Sequence, residues 1–174
     1  HTELAADAPL ADRLALAREV AIEARSCEDR TRGALYDAIG RAHDFALAAD
    51  GAPQEYAELV ADAGLTVQER APMTPVVKLV FGADYDKTRL TEYAAALTHA
   101  RRLGLGQGEL GGFLRAAHGG LKGVVAEERR LRRGEDAAQR AARKPANALD
   151  GKLRQLPPVT LDAMGVLGGQ PADV

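Results

Sequence analysis

The side chains able to carry chemistry are few and scattered. His43, His99 and His118 are widely separated and show no paired spacing of metal ligands, so each reads as a surface or packing histidine. Cys27 is the only cysteine, which rules out an intrachain disulfide and a conventional zinc cage, and no nucleophile signature surrounds it. Asp84 and Asp86 match the first two ligands of a calcium loop. The match fails at Arg89, where the sharp turn needs glycine, and at Ala95, where a bidentate acid is needed, so the two aspartates read as helix caps. Gly106, Gly108 and Gly111 fit G-x-G-x-x-G, but a helix precedes them where a dinucleotide fold needs a strand. No catalytic residue, cofactor site or metal site is assigned, and a non-enzymatic protein is expected.

What remains is chemistry suited to nucleic acid. Just before YAELVADAGLTVQER, Pro53 opens a helix whose inner face is Tyr56, Leu59, Val60 and Ala63, and Gly64 stops it. Leu65-Thr66 then leads into a second short helix capped by Thr66. Such a helix-turn-helix corner would present Thr66, Gln68, Glu69 and Arg70 to a major groove, with Gln68 and Arg70 suited to base edges and Thr66 to a phosphate. Ala71-Pro72 and Thr74-Pro75 limit this second helix to about two turns. Further phosphate contacts are assigned to Arg101, Arg102, Arg129, Arg130, Arg132 and Arg133. The basic run has bland readings beside this one: pairing with Glu127, Glu128, Glu135 and Asp136, or attraction to an acidic protein surface. Aromatic residues do not interleave with it, which argues against stacking on single strands.

The elements that position these residues read as helices. Leu10, Leu14, Ala17, Ala21 and Ala24 recur at helical spacing, and Ser26 with Asp29 has the spacing of a cap for the next helix. Leu35, Ile39, Ala42, Ala46 and Ala49 form its stripe. Thr74-Pro75 starts a helix in which Val76, Val77, Leu79, Val80 and Phe81 anchor the core; a buried strand is the rival assignment, without a second strand to pair with. A helix from about Lys87 to Leu103 turns Leu90, Tyr93, Ala94, Leu97 and Ala100 inward and Arg89, Glu92, Thr98, His99 and Arg102 outward. A short helix around Leu110, Phe113 and Leu114 follows, and another begins near Gly119 and ends at Pro145. Gly64 to Arg102 is expected to be the hub.

Hydrophobic residues make up 46% of the 174, but alanine dominates them and tryptophan is absent, which favours closely approaching helices. The net charge of −2 conceals an asymmetry. Residues 1–63 carry −7, residues 64–114 carry +1, residues 115–144 carry +5 and residues 145–174 carry −1. Acidic and basic ends suit different partners, or are simply solvated helix faces. No stretch approaches the roughly 18 apolar residues of a membrane span, no charged-then-apolar leader is visible, and a reducing cytoplasm is the expected compartment.

With YAELVADAGLTVQER and the following APMTPVVKLVFGADYDKTRLTEYAAAL in view, the chain resembles small helical proteins of unknown function carried by bacterial phages, plasmids and mobile elements. The resemblance covers about residues 16–102 and implies a helix-turn-helix-like corner. The expected architecture is all-α: a short extension over 1–9, a compact multi-helix domain over 10–133, and over 134–174 a polar helix continuation and flexible tail. The expected function is a DNA-associated regulatory module with duplex DNA as partner. The alternative is a protein-interaction or oligomerisation module that docks a regulatory partner or a second copy.

Overall fold

The computed structural model describes residues 7–26 and 32–155, and the side chains of residues 7–24 and 32–144. Seven helices occupy these residues and no strand occurs among them: α1 (Leu10–Ser26), α2 (Arg32–Asp50), α3 (Pro53–Asp62), α4 (Thr74–Phe81), α5 (Lys87–Arg102), α6 (Leu110–Ala116) and α7 (Gly120–Gln155). The chain falls into two units, His1–Arg130 and Leu131–Val174. Cys27 and the capping role expected of Asp29 lie outside the described residues.

The first unit is built around α2. This helix packs against α1, α3, α4, α5 and α6, so the hub is α2 rather than the stretch from Gly64 to Arg102. Its composition explains the difference. Ala38, Ile39, Gly40, Ala42, Phe45, Ala46 and Ala49 are all buried, and small residues around most of the circumference let several neighbours approach at once. A Cβ on Gly40 would stand 3.2 Å from the Gly111 backbone nitrogen, so α6 rests almost directly on α2. The expected stripe of α1 is buried at Leu10, Leu14, Ala17, Ala21 and Ala24. The apolar run Val76–Phe81 is helical and buried, apart from half-buried Lys78. Phe81 packs on Tyr93, ring centroids 4.8 Å apart, and Tyr85 stacks beside both. Asp86 caps α5 by accepting from the Arg89 N–H at 2.8 Å.

The helix-turn-helix corner is not formed. Gly64, at φ +69°, ends α3 with the two backbone bonds of a Schellman motif, Gly64 N–H to Ala61 O and Leu65 N–H to Val60 O. No helix follows until Thr74. Residues 65–68 are irregular, and a turn closed by the Ala71 N–H on Gln68 O leads into Pro72. The physical reason is that a segment this short needs an apolar face to bury. Beyond half-buried Leu65 its one large apolar side chain, Val67, is exposed instead, and Pro72 draws Ala71 away from helical geometry.

The start of α7 is fixed by a side chain of α2. The Leu121 N–H donates to the Tyr36 hydroxyl at 3.2 Å, a buried bond to one of the donors that a helix start leaves unsatisfied. Gly120, at φ +57°, makes room for it: a Cβ there would overlap the Tyr36 hydroxyl. Only glycine combines that backbone angle with that clearance.

The described part of the second unit is the remainder of α7. Pro145 does not end the helix, which continues to Gln155. Proline's fixed φ is itself helical, and the alanines on both sides supply the propensity to carry the helix past one missing hydrogen bond. Part of the expected tail from Ala146 onward is therefore helix, and residues 156–174 lie outside the described residues.

Candidate nucleic-acid interface

The basic residues assigned to phosphates divide into those held internally and those turned to solvent. Arg101 and Arg102 end α5, where cations complement the partial negative charge of the last turn. Arg101 Nη1 lies 2.8 Å from Asp50 Oδ2, a charge contact without hydrogen-bond alignment. Arg102 is held more firmly. Its Nε and Nη2 donate to the two carboxylate oxygens of Glu128, at 2.9 and 2.8 Å. Arg130 forms a similar bidentate pair with Glu127 one turn earlier on the same helix, at 3.0 and 2.6 Å. These guanidiniums already have carboxylate partners.

Glu128, which the sequence offered only as a partner for the basic run beside it, is instead the acceptor for α5. It is 3% exposed, and His99 Nδ1 lies 3.0 Å from its Oε2, so that oxygen serves both His99 and Arg102. The imidazole proton sits on Nδ1, since an ionised carboxylate only accepts. Burial pushes the Glu128 carboxyl up, but the hydrogen bonds from Arg102 and His99 outweigh it and hold the group below the ordinary carboxylate range. His99 is thus buried and not outward-facing as its place on α5 suggested. The signal was present in the chain: Leu121, Val125 and Glu128 share one helical face, so the carboxylate sits in line with buried apolar residues.

The other two histidines among the described residues are separate from this network. His43 is fully buried with Nε2 2.9 Å from Leu105 O, and His118 is exposed. The three clefts described in the first unit are lined by residues other than His99 and Glu128, so the histidine–carboxylate pair faces none of them. No cluster of potential metal ligands occurs among the described residues.

Thr66, Gln68 and Arg70 are exposed in the irregular segment between α3 and α4. Without a helix they do not share the single face that a recognition helix would give them. On α7, Arg129 is exposed, as is every side chain from Arg132 to Lys144. That last stretch carries five basic and two acidic side chains. Arg133, Arg140 and Lys144 recur at i, i+7 and i+11, within roughly 40° of one another around the helix and over about 16 Å of its length. Arg132 and Arg143 lie together to one side of this stripe, and Asp136 stands at its edge on that same side. Arg140 also reaches the Asp136 carbonyl, at 3.4 Å. Arg140, Arg143 and Lys144 extend the basic run assigned from the sequence. No helix among the described residues is long and apolar enough to cross a membrane. Comparison with protein-family models, with curated proteins and with solved structures finds no match to this chain.

Proposed function

We propose that the protein is a DNA-associated binding module that engages duplex phosphates through the basic stripe of α7 and performs no chemistry of its own. The observation that carries this reading is the uninterrupted exposure of residues 132–144 on a helix, with Arg133, Arg140 and Lys144 aligned. A preformed row of cations displaces condensed counterions without first ordering a flexible segment, and it needs no base contacts. Base readout by Gln68 and Arg70 is not part of the proposal, because the helix that would present them is absent. A regulatory role and a cytoplasmic setting belong to the same proposal; they rest on the sequence resemblance and on the single cysteine.

The test is equilibrium binding to mixed-sequence duplex DNA across a salt series. Replacing Arg133, Arg140 and Lys144 together by Ala is expected to lower the slope of log K against log salt by about 0.9 for each phosphate no longer neutralised, up to about 2.7. An unchanged slope removes the arm from the interface. The second reading, a protein-interaction or assembly module, has its own observation in an apolar groove of the first unit, and it requires association that survives nuclease treatment.

A further inference from the structure

The groove lies where α1 passes the end of α3 and the C-terminal half of α4, and it has a volume of about 360 Å³. Leu65, Phe81 and Ala83 contribute to an almost wholly apolar lining. Ile22 stands at its edge with 64% of its surface exposed, the most of any large hydrophobic residue described. Leaving such a side chain beside an open apolar groove costs the isolated protein free energy that a partner recovers on covering it.

The charges at the rim narrow the choice of partner. Arg18 and Lys78 are the only charged residues that line the groove. Neither meets a carboxylate among the described residues. Arg18 donates from Nε to Leu79 O at 2.9 Å, and Lys78 is half-buried with no ion pair. Glu23, the acidic neighbour of Ile22 in sequence, lines a different cleft, with Arg41. Elsewhere in the first unit, basic side chains are commonly paired: Arg101 with Asp50, Arg102 with Glu128, Arg115 with Asp37 and Arg130 with Glu127. Two cations without carboxylates beside an apolar groove are complementary to an apolar anchor carrying carboxylates. The volume is at the small end for binding sites, which suits one or two large side chains rather than a long helical face.

We propose that this groove docks a peptide segment of another protein in which a Leu or Phe anchor is flanked by Glu or Asp. The anchor covers Ile22 and enters the groove while its carboxylates meet Lys78 and Arg18. This surface is independent of the α7 arm, and its failure would leave the DNA reading untouched.

The experiment uses the full chain and a fluorescein-labelled twelve-residue peptide carrying Leu and Phe one helical turn apart among glutamates, with an otherwise identical peptide carrying glutamine in place of glutamate. Fluorescence anisotropy is expected to show saturable binding of the glutamate peptide and roughly tenfold weaker binding of the glutamine peptide. Lys78→Glu is expected to weaken the glutamate peptide about tenfold. Ile22→Asp, at an exposed position where folding is unaffected, should abolish binding. Equal binding of the two peptides, no saturation, or insensitivity to Ile22→Asp would overturn the proposal. So would self-association of the unmodified chain that Ile22→Asp abolishes, since the occupant would then be a second copy.

Discussion

Arg102 holds Glu128 through two parallel hydrogen bonds, with its guanidinium side chain 30% exposed and the carboxylate 3% exposed. The arginine joins a nearly dry carboxylate on α7 to the end of α5. Replacing the carboxylate by an amide removes the counter-charge of a partly buried guanidinium and leaves one acceptor oxygen where Arg102 and His99 had two. Glu128→Gln is expected to lower stability by about 3 kcal/mol, the lower end for a broken buried pair because Arg102 retains some solvent. Urea unfolding monitored by circular dichroism measures it.

The same carboxylate sets an acid limit. Its folded pKa lies below the ordinary value of 4.5, so the unfolded chain takes up its proton first as pH falls. The contribution is therefore fully present above about pH 4.5 and is lost as pH drops through the lower folded value. The stability difference between the unmodified protein and Glu128→Gln should shrink as pH falls below about 4.5. A difference that held constant down to pH 3 would show that the ionised carboxylate is not what Arg102 and His99 recognise.

Tyr36 and Gly120 form a testable pair. Tyr36→Phe leaves the Leu121 N–H buried without an acceptor and should cost about 1–2 kcal/mol. Gly120→Ala should cost more, since its methyl meets the Tyr36 hydroxyl at a left-handed backbone angle. In the Tyr36→Phe background the hydroxyl is gone, so adding Gly120→Ala should cost less than it does alone. A double-mutant cycle that came out additive would mean the two residues do not touch.

The internal ion pairs separate two sets of arginines that composition alone treats alike. Arg101→Ala should leave the salt slope of DNA binding unchanged, because Arg101 already faces Asp50. The same substitution at Arg133 should lower the slope by about 0.9. Equal effects at the two positions would place the interface on the end of α5 as well.

Helical periodicity made the inner faces of α1 and α4 legible, since every position of Leu10, Leu14, Ala17, Ala21 and Ala24 is buried and Val76–Phe81 forms a helix. Asp86 was legible as a cap because its type and place before a helical run have a local cause. The missing helix after Gly64 was harder. The glycine turn is formed, but whether Thr66–Arg70 winds depends on whether Val67 finds a surface to bury against, which is a tertiary fact. Glu128 was hidden for a related reason. A glutamate between Glu127 and Arg129 looks like part of a solvated charge run until the partner helix brings His99 and Arg102 to it. In the same way Arg102 reads as a free cation in the sequence and as an internal strut in the fold.

The bond between Tyr36 and Leu121 also bears on the order in which the protein is assembled. It joins residues 85 apart in the chain, so a long loop must close before it can form, and the entropy of that closure is spent before the bond returns anything. Helices α1 and α2 are neighbours in sequence and can pair early. The bond to the first turn of α7 can form only once α2 is in place to receive it. The Tyr36 bond is thus expected to form after the local pairing of α1 and α2, and after the shorter closure that brings Glu128 to Arg102.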